Sequence, residues 1–387
     1  MLAHDLNKAG PIFTAVSNNI DPSQAAKDLH SELQHGDLSL VVFFCSTDYE
    51  LQELSQALQQ RFGDLPVVGC TTAGEITPLG YSRGSITAIG FCKTQFSIEL
   101  SLFRNLTETT FTEVQTLVHG MLDRCQKHQV APIRGHTFAL ALLDGLSVRE
   151  EQLLNALSAN LGSIPLLGGS AGDDLCFKDT HVYFNGTFYS DAAILILVNT
   201  SCQFEVFSID HLMNTDEKLV ITHADCEARR VYEFNAAPAA LEYAESLGLS
   251  VEQLNPSVFA LNPLSVRIGE RYYPRAIQKV NDDQSLDFYC AVENGIVLTR
   301  SKAANILEGL EHLFDDICRK IGPPQLVIGC DCVFRRLEIE HLGLTSQASE
   351  ILERNKVIGF NTYGEQFDGL HLNQTFTGIA IGRSGVG

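Results

Sequence analysis

From Leu38 onward, apolar and polar positions succeed one another in a fixed order. The run "LSLVVFFC" (38–45) is apolar, a polar break follows, Leu51, Leu54 and Leu58 recur at helical spacing, and "GDLP" leads into "VVGCTTAGE" (67–75). That order predicts strand, helix, strand. Residues 136–173, from "HTFALALLDG" to "LLGGSAGD", repeat it with Leu153, Leu154 and Leu157 on the helical stretch. A third copy runs from "QLVIGCDCVFRR" through "SQASEILERNK" to "VIGFNTYGE" (357–365). The chain writes one supersecondary unit three times.

Each copy is followed by a further short apolar run: "GSITAIGF", "DAAILILV" and "TFTGIAIG". A crossover this short pairs its two strands in parallel and right-handedly, and the extra run can then return antiparallel. The expected fold class is α/β, with mixed sheets covered by helices. Two copies fall in the first half and one in the second, which is enlarged by a hairpin-like insertion, "VRIGERYYPRAIQKVNDDQSLDFYCAVENGIVL" (266–298). With 387 residues, against about 100 to 200 per domain, two domains are expected: a lead-in over 1–30, a first domain over 31–205 and a second over 206–387.

In the first and third copies two glycines flank a hydroxyl residue at the C-terminal end of a strand, where ligands of α/β sheets commonly bind. Gly69, Thr71, Gly74 and Glu75, with Gly359, Thr362, Gly364 and Glu365, are therefore candidate ligand-turn residues; tight turns closed by a capping acid are the alternative. Neither copy ends in Gly-Lys-Ser/Thr or completes a GxGxxG, so nucleotide phosphate is not indicated.

Charge narrows the partners. Forty-seven acidic residues against 27 basic ones give a net charge of −20, with no Lys/Arg run, which argues against nucleic acid and anionic membranes. The start "MLAHDLNKAGPIF" lacks a basic segment followed by an apolar one, and no uninterrupted apolar run reaches the ~18 residues of a spanning helix, so a cytoplasmic location is expected. Eleven scattered cysteines without a Cys-x-x-Cys predict reduced, mostly buried thiols, no zinc knuckle and no covalently attached haem. No nucleophile elbow, no His-Glu-x-x-His and no base for Cys70 emerges, so no enzyme activity is expected.

The phrases "GCTTAGEI", "GGSAGDD", "YEFNAAPAALEY", "NPLSVRIGERYY", "CVFRRLE" and "YGEQFDGLHLNQTFTG" stand in order over about residues 37 to 385, and together the chain resembles the FIST N and FIST C domains of signal-transduction proteins. "GHTFALALLDGLS", "DTHVYFNG", "FYCAVENGIVL" and "IGCDCVFRRLE" are similar to the stand-alone FIST proteins of the NosP family, which bind haem and sense nitric oxide. That resemblance implies a sensory role, non-covalent haem b, nitric oxide as ligand, and a histidine kinase or a cyclic-di-GMP synthase or phosphodiesterase addressed in trans. It leaves a homodimer open.

A non-covalent haem needs one or two axial ligands in an apolar pocket and donors for its propionates. His211 closes the strand "FEVFSIDH" where the halves meet, with Met213 two residues on, and is the first choice for the iron. His223, in "LVITHAD", is the second, and His371, in "GLHLNQTF", could line the crevice of the third copy. Arg267, Arg275 and Arg335 are candidates for the propionates or another carboxylate, although such an arginine is more often a surface ion-pair partner. His181 reads as structural, and His30, His35, His119, His128, His312 and His341 as solvated. Two rival readings remain: a FIST sensor of a small organic ligand such as an amino acid, using the glycine turns with an arginine, and a thiol redox switch on Cys330 and Cys332, whose thiols a strand would point to one face.

Overall fold

The computed structural model describes residues 10–34 and 36–384. His35 and the outer ends of the expected lead-in and second domain lie outside the described residues. Three equivalent units build the body. The first holds strand Ile12–Ser17, helix Pro22–Leu33, strand Leu38–Cys45, helix Leu51–Phe62, strand Val67–Thr71, a hairpin of Glu75–Thr77 and Gly80–Ser82, and strand Ile86–Cys92. The second repeats this order as Phe96–Arg104, Phe111–His128, Thr137–Leu143, Glu150–Leu161, Leu166–Ser170, the hairpin Val182–Phe184 with Thr187–Tyr189, and Ala192–Thr200. The third opens with strand Cys202–Ile209, is interrupted by an insertion, and resumes with helix Ile306–Ile321 and strand Leu326–Cys332. Helices Val333–His341 and Thr345–Arg354, strand Val357–Thr362, the hairpin Glu365–Phe367 with Leu370–Leu372, and strand Phe376–Ser384 complete it.

Each unit contains the expected parallel pair and antiparallel return. Phe43 lies opposite Gly69, Ala141 opposite Gly168 and Gly329 opposite Gly359, and the final strand of each unit pairs with the other edge of the first strand in that pair. The apolar runs are uninterrupted because both faces are buried. Leu40, Val42 and Phe44 point into a core shared by all three units, together with Phe138, Leu140, Leu142, Ile328 and Cys330. The alternate residues Val41 and Phe43, or Ala139 and Leu143, face the covering helices instead. Phe44 of the first unit stacks on Phe360 of the third with ring centroids 4.6 Å apart, which ties two sheets across the shared core.

The hairpins are exchanged in a ring. The hairpin 75–82 adds to the third unit's sheet, where Ile76 pairs with Gly359. The hairpin 182–189 adds to the first sheet, where Val182 pairs with Cys70, and the hairpin 365–372 adds to the second, where Glu365 pairs with Gly169. Each six-stranded sheet is thus four strands of one unit completed by two of another.

The insertion forms a lobe of its own, with the expected hairpins Leu264–Ile268/Arg271–Arg275 and Ile277–Val280/Leu286–Phe288 joined to strands Leu212–Asp225, Arg230–Phe234 and Val297–Ala303. Its two ends are neighbours: Leu212 pairs with Ala303, and the Ala304 amide donates to the His211 carbonyl at 2.7 Å. The lobe's core of Ile221, Val231, Phe234 and Tyr243 continues into Val333, Phe334 and Tyr363 of the third unit, so the lobe is packed on the body. Val333–His341 is helical where the sequence predicts a polar break. Arg335, Arg336 and Glu338 read as polar, yet all three are buried in ion pairs on the inner face of that helix.

Candidate functional site

The strand-end turns interlock at the centre of the molecule. Ala73 N–H donates to the Asn361 carbonyl, Asn361 N–H to that of Gly74, Gly172 N–H to that of Thr71, and Ser170 N–H to that of Gly364. The repeated sequence is explained by these contacts. A Cβ on Gly69, Gly168 or Gly359 would overlap the carbonyl oxygen of Phe43, Ala141 or Gly329 on the adjacent parallel strand, so the close approach is strand to strand. Gly74, at φ +130°, sits beneath the Arg336 guanidinium, which donates to the Ala73 carbonyl and to Asn361 Oδ1.

The two glutamates do identical work. Glu75 takes the Thr72 hydroxyl on one oxygen and the Ser85 amide and hydroxyl, at 3.1 and 2.8 Å, on the other. Glu365 bonds Thr362 and takes the Thr375 amide and hydroxyl at the same 3.1 and 2.8 Å. Each carboxyl fastens the two ends of an exchanged hairpin. Burial pushes Glu365 up to about 8 against the bonds from Thr362 and Thr375, and raises Glu75 in the same way. Thr71 is likewise buried, its hydroxyl taking the amide of His181, the residue before the second hairpin, at 3.0 Å.

His211 is buried with both ring nitrogens engaged. Arg335 Nη1 lies 2.7 Å from Nδ1, and Glu338 lies 2.8 Å from Nε2. A guanidinium only donates, so Nδ1 accepts and Nε2 carries the proton given to Glu338. Arg335 also holds Asp331 at 2.7 Å, and Asp331 takes the Tyr81 hydroxyl at 2.5 Å. Met213 points away into solvent, 57% exposed, on a strand paired to Lys302. His223 is exposed on the lobe and stacked on Tyr232, with 4.8 Å between ring centroids. Arg267 is exposed and lies over Tyr272. Cys330 and Cys332 are both buried, and burial raises both thiols.

His371 differs from these. It is 5% exposed, and neither ring nitrogen has a partner. Its cross-strand partner Gln366, which shares its face of the hairpin, leaves Oε1 unpartnered as well. Arg275 of the lobe, whose strand packs against that hairpin, has a buried Nε without a partner. Around them stand Glu150 and Glu151 at the start of helix Glu150–Leu161, Arg229 of the lobe and the buried thiol of Cys290. Burial pushes the His371 imidazole down against the pull of Glu151 and Glu150, so it is neutral at neutral pH. The structure therefore brings His371 and Arg275 together and disperses the other candidates. Glu150, Glu151, Arg229 and Gln366 carry no motif that would single them out, although Asp368-Gly369 between Gln366 and His371 is a two-residue hairpin signal that sets the two opposite each other.

A family model for the FIST N domain matches residues 39–237, and one for the FIST C domain matches residues 239–368. The chain belongs to the FIST family. FIST domains are sensory domains of signalling proteins. A curated relative is the uncharacterized protein MJ1623 of Methanocaldococcus jannaschii, 23% identical over 259 residues; the match covers 66% of this chain and 46% of that protein's length. Among the described residues no helix is long and apolar enough to cross a membrane.

His211, Met213 and His371 do not fit the haem that the NosP resemblance implies. An iron ligand needs a free lone pair. The one on His211 Nδ1 is taken by Arg335, and Met213 is not in the same site. His371 has free nitrogens, but its ring is so close to Gly364 that a Cβ there would overlap it, and its surroundings are charged rather than apolar.

Proposed function

We propose that this FIST protein senses a small organic ligand in the seam where the inserted lobe meets the three-unit body, and relays its presence in trans to a histidine kinase or a cyclic-di-GMP enzyme. The observation that carries this reading is a pair of buried groups left without partners on the two sides of the lobe–body contact: both ring nitrogens of His371 on the body and the Nε of Arg275 on the lobe. Buried polar groups are nearly always satisfied by protein or water, and orphans on both sides of one contact signal a missing partner. The seam has the right position for a sensor. His371 and Gln366 belong to the body, Arg275 and Arg229 to the lobe, and a molecule touching both biases how firmly the lobe is docked. Binding rather than catalysis suits the surroundings, because burial raises the thiols of Cys70, Cys290, Cys330 and Cys332 and leaves them poor nucleophiles.

Native mass spectrometry of the protein purified from its host tests the proposal. A small-molecule adduct of one per chain, lost in His371→Phe, is the expected result. Haem titration beside it checks the NosP reading: a Soret band at one haem per chain, shifted by nitric oxide and unaffected by His371→Phe, would overturn the seam as the sensing site.

A further inference from the structure

We propose that strand Phe96–Arg104 pairs antiparallel with the same strand of a second copy of this chain, across a twofold axis at Leu100, so that two six-stranded sheets become one. A free strand edge is a row of unpaired amides and carbonyls that recruits another strand unless it is shortened, bulged or covered. One end of each body sheet is the outer strand of an exchanged hairpin, only three residues long. Of the opposite ends, Ile12–Ser17 has its Val16 amide covered by Glu32 at 3.2 Å, and Cys202–Ile209 breaks register between Cys202 and Phe204. Strand Phe96–Arg104 has neither protection. Its nine residues pair without a break with Ala192–Thr200, and it contains no proline or lysine. Among the described residues no amide or carbonyl of 96–104 has a backbone partner beyond that ladder.

Charge selects a second copy as the occupant. Residues 96–104 hold one acid, Glu99, and one base, Arg104, so this edge is neutral on a chain of net charge −20 whose copies repel elsewhere. Antiparallel pairing about Leu100 sets Ile98 against the partner's Leu102 and Glu99 against the partner's Ser101, whereas parallel pairing in register would oppose like charges at both 99 and 104. Ile98, Leu100 and Leu102 are half-buried on the face towards the shared core, and pairing covers what they still expose. The other face carries a matching feature. Arg124 and His128 of helix Phe111–His128 reach Glu99 at 2.5 and 3.6 Å, so their stripe of the helix overlies the edge strand. Gly120 continues that stripe one turn earlier. A mid-helix glycine is destabilising, and nothing inside the chain requires this one, since a Cβ would meet only the tip of Arg124 at 3.4 Å. Its bare backbone leaves room for the same helix of the second copy, which the twofold axis lays alongside.

Analytical ultracentrifugation of the full chain should show a dimer. Leu100→Lys, which opposes two ammonium groups at the axis, should weaken it at least tenfold with unchanged circular dichroism. Gly120→Gln, outside the strand and with room for its side chain in the single copy, should weaken it as well. Oxidation reads the register. Directly opposed cysteines lie within disulfide reach, so Leu100→Cys treated with oxidised glutathione should give a covalent dimer above the wild-type background set by the exposed Cys176 and Cys226. Ile98→Cys, two residues from the axis, lies about 13 Å along the strands from its mate at 3.3 Å per residue and should stay unlinked. A monomer at every concentration tested, a dimer indifferent to both Leu100→Lys and Gly120→Gln, or linkage through Ile98→Cys as fast as through Leu100→Cys would each overturn the pairing.

Discussion

At the scale of single residues, the repeated glycine–hydroxyl–acid phrase is a device for closing the fold, and its parts respond differently to change. Gly359 admits no side chain, because a Cβ would overlap the Gly329 carbonyl in a parallel pair buried on both faces. Gly359→Ala should therefore destabilise by about 3 kcal/mol, the upper range for forced overpacking, read as a lowered denaturant midpoint; a loss below about 0.5 kcal/mol would mean that the strands separate freely. Glu365 makes stability depend on pH. Its ordinary value of 4.5 is pushed up to about 8 in the folded chain, so its contribution is fully present below about pH 4.5 and is lost as pH rises through 8. The slope approaches about 1.4 kcal/mol per pH unit in that window. Glu365→Gln, neutral throughout, should flatten the wild-type decline between pH 5 and 8; parallel melting curves for the two proteins would refute this. His211→Ala removes the partner of both Glu338 and Arg335 inside the protein. Leaving buried charged groups one hydrogen-bond partner short costs about 1–3 kcal/mol, and urea unfolding should show a loss of that order, whereas His223→Ala, on an exposed ring, should stay within about 0.5 kcal/mol.

At the scale of elements, what the sequence made legible and what it hid divide along local and non-local lines. Three strand–helix–strand units, their parallel pairs and their antiparallel returns follow from apolar runs and helical spacing, which are local properties of the chain. The hairpin tips were within reach too: Asn185-Gly186 and Asp368-Gly369 are two-residue turn signals, and in both pairs φ is positive, 41° and 97°, then 49° and 84°. Which sheet a hairpin joins is a different question, because Val182 finds Cys70 and Glu365 finds Gly169 only once three units close into a ring. The site follows the same rule. Arg275 and His371 both stand out by residue type, but nothing local says that a lobe strand and an exchanged hairpin lie side by side. His211 was conspicuous for its place at the junction, and that place proves structural: its carbonyl receives Ala304 where the insertion rejoins the body, and its ring is anchored to helix Val333–His341. Exchange also predicts a coupling. Glu75→Ala removes the acceptor for Ser85 and leaves Thr72 and Ser85 to bond elsewhere. In hydrogen exchange, the amides of 357–362, in the unit that receives the hairpin, should lose protection along with those of 75–82; a change confined to the first unit's own sheet would refute the coupling.

At the scale of the whole molecule, the lobe is held to the body in two chemically distinct ways, and they need not fail together. An apolar contact joins Phe234 and Tyr243 of the lobe, through its core, to Phe334 and Tyr363 of the third unit. A charged contact joins Arg229 to Glu150 and Glu151 of the second unit, with Arg149 to Glu227 at 3.1 Å beside it on the surface. The surface pair contributes little, but Arg229 is 4% exposed, and removing it strands the Glu150 carboxylate, which is 1% exposed, without a counter-ion. The simplest escape for that charge is water, and water reaches it if the lobe lifts from helix Glu150–Leu161 while keeping its hold on the third unit. Arg229→Gln in the full chain should therefore raise hydrogen exchange over residues 286–292 and 150–154, while strands Leu38–Cys45, Thr137–Leu143 and Leu326–Cys332 around the shared core stay protected. Exchange rising evenly across the lobe, the helix and the shared-core strands would mean that Arg229 supports global stability alone, and the seam would then be a fixed pocket without a moving wall.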